Sequence, residues 1–161
     1  MIVIVMGVVG AGKTTVGSML AAELGWQFAD ADDFHPAANV EKIRNGIALA
    51  DADRAPWLEL LRKAVAGWSA ANTNVVLACS ALKRSYREKL KVGLEVRFVY
   101  LKGSVALIAE RLHERHGHFA GQSILASQVA DLEEPQSAIV ADIRQTPSQI
   151  VDSIRKQLGL E

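Results

Sequence analysis

Ile2-Val3-Ile4-Val5-Met6-Gly7-Val8-Val9-Gly10-Ala11-Gly12-Lys13-Thr14-Thr15 begins with five apolar residues and ends on a lysine followed by two hydroxyls. The apolar run reads as a strand buried on both faces, and the string behind it is G-x-x-x-x-G-K-[ST]. A strand that ends in a glycine turn and opens a helix gathers several backbone N–H groups around one concavity. The helix N-terminus adds its positive dipole end at the same place. Gly10 and Gly12 allow backbone conformations that a Cβ would forbid, so the chain can close around a phosphate. Lys13 can then reach the β- and γ-phosphates while the Thr14 hydroxyl ligands Mg²⁺. Gly7, Val8, Val9, Gly10, Ala11, Gly12, Lys13, Thr14 and Thr15 are therefore expected to form the triphosphate site.

Working outward, 161 residues suit a single domain, residues 1–161, able to bury a core without disulfides or metals. The 18 basic residues balance 18 acidic ones. No bulk attraction for nucleic acid or an anionic membrane follows, so any anion site must be local. The single cysteine, Cys79, cannot form an internal disulfide and fits a reducing compartment. The N-terminal apolar run is too short to span a bilayer and passes straight into the glycine loop, so it reads as a core strand of a cytoplasmic protein.

Apolar runs alternate with helical periodicity along the whole chain. A helix is expected from about Lys13 to Leu24, with Val16, Leu20 and Leu24 on one face, and another over residues 55–70. Further strands are expected at Trp26 to Asp30, Val75 to Cys79, Val96 to Leu101 and Ala138 to Ile143. Ser104 can cap a helix carrying Val105, Ile108 and Leu112. Thr146-Pro147-Ser148-Gln149 supplies an N-cap, a proline at the first helical position and a capping-box glutamine. Five strands alternating with helices imply an α/β fold of three layers, a parallel sheet covered on both faces, with ligands at the carboxyl ends of the strands.

The second strand ends in Asp30-Ala31-Asp32-Asp33-Phe34-His35-Pro36. Residues 30 and 32 point to the same side of a strand, so two carboxylates can face the phosphate site together. Asp30 is assigned to the Mg²⁺ shell, and Asp32, nearer the strand's end, to taking the proton from an attacking hydroxyl. No aspartate ends the third strand, Val75-Val76-Leu77-Ala78-Cys79-Ser80, which makes Asp30 the more necessary. After that strand, Lys83 and Arg84 either grip a substrate carboxylate or form a charged loop that opens a helix. Trp57 and Trp68 read as core packing, and Cys79 as a small buried hydrophobe. Arg111 and Arg115, four residues apart and followed by Gly117, suit a lid whose cations meet the triphosphate on closure. His113-Glu114-Arg115-His116 is one residue short of H-E-x-x-H and has no cysteine nearby, which argues against zinc.

Together these blocks resemble the gluconate kinase family, within the shikimate and nucleoside-monophosphate kinase group. The resemblance rests on Asp30 to Pro36 with Asn39, Lys42 and Gly46, on Leu49 to Leu58, on Cys79 to Arg87, on Arg115 to Phe119, and on Ser127 to Pro135. It departs at Ala11-Gly12-Lys13-Thr14, where the family usually has Ser-Gly-Lys-Ser, and both changes keep the loop's chemistry. The resemblance implies ATP-dependent phosphorylation of D-gluconate to 6-phosphogluconate, Mg²⁺ dependence and a homodimer. It implies a sheet in the order 2-3-1-4-5, a substrate-binding segment near 34–56 and a lid near 113–126. It further implies that Asp32, His35, Arg54, Lys83, Arg84 and His118 hold the sugar acid and that Arg115 closes over the transferring group. Arg111 would stack on adenine opposite Thr146-Pro147. Another small-molecule kinase is the nearest rival. However, Cys79-Ser80-Ala81 stands where a shikimate kinase has a glycine triplet. The rival from another class, a GTP-dependent switch protein, needs an N-K-x-D guanine signature, and none occurs.

Overall fold

Strands β1 (Ile2–Met6), β2 (Gln27–Asp30), β3 (Val75–Ala78), β4 (Val96–Lys102) and β5 (Ile139–Asp142) pair in parallel in the order β2-β3-β1-β4-β5. This is the order implied by the resemblance. The computed structural model describes residues 1–93, 95–116 and 119–161, and the side chains of all of these but 115, 116, 119 and 120. The helices are α1 (Lys13–Leu24), α2 (Ala37–Arg44), α3 (Asp51–Ala70), α4 (Arg84–Leu90), α5 (Val105–His116), α6 (Phe119–Asp131) and α7 (Pro147–Leu158). A single 3₁₀ turn, Ala31–Phe34, follows β2.

Period-two alternation in β1 sorts its side chains onto two apolar faces. Val3 and Val5 join Val76 and Val99 in a layer closed by Val16 and Leu20 of α1 and Ile150 and Ile154 of α7. Ile2, Ile4 and Met6 join Leu77 and Phe98 beneath Leu58, Leu61 and Val65 of α3. Each such side chain, removed from water, contributes about 1.5–3 kcal/mol. All five residues of β1 are buried, as a strand covered by helices on both sides must be.

The caps form as the sequence requires. The Leu107 N–H donates to Ser104 Oγ at 3.1 Å and starts α5. The Gln149 N–H donates to Thr146 Oγ1 at 3.2 Å, and the Thr146 N–H donates to Gln149 Oε1 at 3.0 Å, with Pro147 opening α7. The third helix differs from expectation, starting at Asp51 and not at 55, with Pro56 inside it. Ala50 has no side chain to cap it. Asp53 instead accepts the Ala50 N–H at 2.8 Å, and the acidic first turn complements the helix dipole. That extension brings Arg54 onto the first turns of a rigid helix. Among the described residues no helix is long and apolar enough to cross a membrane.

Candidate active site

The loop between β1 and α1 closes on itself. Val8 O accepts the Ala11 N–H at 3.2 Å and Lys13 Nζ at 3.0 Å. Gly12 caps α1 at φ 99° and Gly10 stands at φ 81°, both in the left-handed region that favours glycine. The first-turn amides of α1 have no intrahelical acceptors, so the loop offers them to an anion. Upstream in the loop two amides are already committed, the Ala11 N–H to Val8 O and the Val9 N–H to Gln128 Oε1 of α6 at 2.7 Å.

Two cavities, each of about 260 Å³, lie on either side of this loop and share Gly10, Gly12 and Thr15 in their walls. The first contains Lys13, Thr14, Asp30, Asp32, His35 and Arg54. The second contains Arg111 and Pro147, with Arg111 Nη2 donating to Ile143 O at 2.7 Å. The loop is thus the wall between a substrate-sized cleft and a groove lined by the two residues expected to flank adenine.

Thr14 Oγ1 donates to Asp30 Oδ2 at 2.9 Å, while Asp30 Oδ1 accepts the Asp32 N–H at 2.9 Å. Asp30 therefore caps the turn that carries Asp32 as well as meeting Thr14. Thr14 Oγ1 and Asp30 Oδ2 are hard oxygen donors beside the phosphate cradle, a set that fits Mg²⁺, which takes few protein ligands and completes its shell with phosphate and water. Among the described residues no group of three His, Cys, Asp or Glu could enclose a metal unaided.

Asp32 keeps 81% of its side chain accessible in the open cleft. Even so, the protein around it displaces water, and Asp30 adds negative charge. Together they raise Asp32 above the usual carboxylate range, against the pull of Lys13. Burial lowers the Lys13 ammonium, and Asp32 and Asp30 oppose that shift. Desolvation thus disfavours the charged form of both groups.

His35 stacks on Trp57, ring centroids 4.5 Å apart and planes 9° from parallel. Asn39, only 4% exposed, presents Nδ2 to His35 Nδ1 at 3.2 Å and donates to Asp53 O at 2.7 Å. An amide nitrogen only donates, so His35 Nδ1 accepts and the ring proton lies on Nε2, 4.0 Å from Asp32 Oδ1. Burial first, and then the nearby Arg54 charge, lowers His35 to about 4. Trp57 Nε1 donates to Ala31 O at 2.7 Å. Trp57 is core packing as expected, and it also lines the cleft.

Arg54, 5% exposed, donates through Nη1 to Tyr86 Oη at 3.0 Å and to Asp131 Oδ2 at 2.9 Å. Its fork carries five donors, so others remain for the cleft it lines. Lys83 and Arg84 are outside that lining. Lys83 Nζ bonds both oxygens of Asp51, at 2.9 and 3.1 Å, and Asp51 also accepts the Tyr86 hydroxyl. The exposed Arg84 gives its backbone N–H to Glu133 Oε1 at 2.9 Å. The buried Arg87 donates to the carbonyls of Ala81, Leu82 and Glu133, a structural clasp. Burial pushes the Cys79 thiol up to about 12, so it acts as the expected hydrophobe. His118 and the side chain of Arg115 lie outside the described residues.

Gln128 and the stack of Trp57 on His35 escaped the sequence reading as site features. No local pattern marks a glutamine that meets a loop 119 residues upstream.

The shikimate kinase family model matches residues 9–158. A probable gluconokinase of Xenopus tropicalis is 42% identical, over 98% of this chain and 93% of its own. A gluconokinase of Gluconobacter oxydans is 51% identical, over 82% of this chain and 75% of its own. The crystal structure of a gluconokinase from Sinorhizobium meliloti superposes with a TM-score of 0.88 at 40% identity, covering 98% of this chain and 90% of that one.

Proposed function

The chain belongs to the gluconokinase family of phosphate-loop kinases, and from that membership we propose that it transfers the γ-phosphoryl group of ATP to the primary hydroxyl of D-gluconate. The products are ADP and 6-phospho-D-gluconate. One observation carries the choice of acceptor. The cleft that holds Lys13 and Asp32 also holds a buried arginine, Arg54, and a neutral histidine, His35. An arginine suits a carboxylate, a neutral imidazole suits a hydroxyl, and a sugar acid supplies both.

The primary hydroxyl is held at Asp32, which accepts its proton as the new O–P bond forms and the bond to the ADP oxygen breaks. A carboxylate raised above its usual range is the better proton acceptor at neutral pH. The His35 Nε2–H donates to a neighbouring hydroxyl, and the free donors of Arg54 pair with the carboxylate. Lys13 and the first-turn amides of α1 stabilise charge on the transferring group. Thr14 and Asp30 would hold Mg²⁺, which would neutralise phosphate charge. Arg111 and Pro147 flank the adenine in the second cavity. The same reading places the enzyme in the cytoplasm as a homodimer, which light scattering checks.

The test is ADP release with Mg²⁺ across gluconate, related sugar acids, shikimate and nucleoside monophosphates. Gluconate should give the highest kcat/KM. Turnover of shikimate or a nucleotide, with none of gluconate, would overturn the assignment of the acceptor and leave the kinase fold standing.

A further inference from the structure

Three contacts fix the upstream limb of the phosphate loop, and two of them come from the helical hairpin of α5 and α6. Lys13 Nζ holds the Val8 carbonyl at 3.0 Å. A Cβ built on Gly10 would stand 2.7 Å from Leu112 Cγ and 3.2 Å from Ile108 Cγ2, so α5 packs directly on the loop backbone. Gln128 of α6 accepts the Val9 N–H at 2.7 Å, and Gln128 itself lines the cleft beside Ser127 and Ile124. The two helices are tied together by Gln122 Nε2, which donates to Ala109 O at 2.9 Å. Leu125, Ile108 and Leu112 share one apolar layer with Val8 and Ala11.

A buried or half-buried N–H left unpaired next to a triphosphate would attract one of its oxygens. With the Val9 N–H committed to an uncharged acceptor, the phosphates have only the downstream donors and Lys13 to dock on. We propose that Gln128 is a positioning residue for phosphoryl transfer: by holding the Val9 N–H it fixes the phosphate loop against the α5–α6 hairpin and leaves the γ-phosphate a single docking register. It acts through Val9 and not on the reacting atoms. A misplacement of about 1 Å can cost about 10²-fold in rate, so the effect belongs in kcat more than in nucleotide affinity. The inference rests on the kinase reading of this site, and its tests are chosen to be separable from the identity of the acceptor.

Gln128→Met keeps the size of the side chain and removes the acceptor. Its kcat at saturating ATP should fall by about 10- to 10²-fold, with ADP affinity by calorimetry changed less than about threefold. Gln128→Glu restores an acceptor, and its added charge should raise the ATP KM while returning kcat to within about threefold of the parent. A Gln128→Met kcat within twofold of the parent overturns the proposal. So does a Gln128→Glu kcat as low as that of Gln128→Met, because the lost function would then lie in the Nε2 group. Should the methionine variant fold poorly, amide exchange in the unaltered protein decides. The Val9 N–H should be protected both alone and with ADP, and free exchange overturns the proposal. Calorimetry and exchange need no phosphoryl acceptor, so they stand whether or not gluconate is turned over.

Discussion

At the scale of single residues, His35 is held neutral by its surroundings. Asn39 fixes the tautomer, Trp57 covers one face, and the side chain is 5% exposed. Burial and the Arg54 charge lower its pKa from 6.5 to about 4. Between those values the unfolded chain binds a proton that the folded chain refuses, so stability falls as the pH drops from 6.5 toward 4. The cost at the acid end is about 3 kcal/mol. Thermal unfolding of His35→Gln across that range should lose this part of the slope, and an unchanged slope would place the titration elsewhere. Asp30 and Asp32 separate in a different measurement. Asp32→Asn should lower kcat by about 10²- to 10⁴-fold at any Mg²⁺ concentration, since an amide cannot take the proton. Asp30→Asn should raise the Mg²⁺ requirement. If excess Mg²⁺ rescues Asp32→Asn and not Asp30→Asn, the two roles are reversed.

At the scale of elements, the loop that leaves β1 and enters α1 gives two glycines different reasons to be glycine. Gly10 and Gly12 both have positive φ, 81° and 99°. A Cβ on Gly10 would strike Leu112, whereas one on Gly12 would meet nothing within 4 Å. Either alanine pays the backbone strain of about 1–3 kcal/mol, but only Gly10→Ala adds overpacking against α5, again about 1–3 kcal/mol. In chemical denaturation without ligand, Gly10→Ala should therefore be the less stable of the two variants. The reverse order would mean that α5 yields to the loop. The start of α3 makes the same point from the opposite direction. Asp53 accepting the Ala50 N–H begins the helix ahead of Pro56, and the earlier start sets Arg54 on it.

At the scale of the whole molecule, Arg54 joins three distant parts of the chain. It bonds Tyr86 of α4 and Asp131 of α6 from its place on α3, and it lines the cleft that β2 and the phosphate loop complete. Lys83 belongs to the same network through Asp51 and lies outside the lining. Arg54→Met should accordingly raise the gluconate KM by at least about tenfold, the loss expected of one charge-assisted pair. The double variant Lys83→Ala with Arg84→Ala tests the sequence expectation that these two grip the carboxylate. A larger KM effect from the double variant than from Arg54→Met would return that role to them.

The sequence alone determined the fold and the phosphate site. Both are written in local patterns: an apolar run, a glycine turn with lysine and hydroxyl, alternating strands and helices, and caps such as Thr146-Pro147-Ser148-Gln149. A local pattern can be read without knowing what packs against it. Asp30 and Asp32 were legible as a carboxylate pair at the end of β2, but not by strand alternation: the strand stops at Asp30, and the 3₁₀ turn that Asp30 caps carries Asp32 into the same cleft. Only the tertiary structure could decide which cations reach the cleft. Lys83 and Arg54 are both basic, but Asp51 holds Lys83 at the rim while Tyr86 and Asp131 hold Arg54 at the cleft wall. It alone brought Gln128 to Val9 and Trp57 onto His35. Those contacts depend on how helices far apart in sequence stack on a common sheet, and no spacing along the chain encodes that.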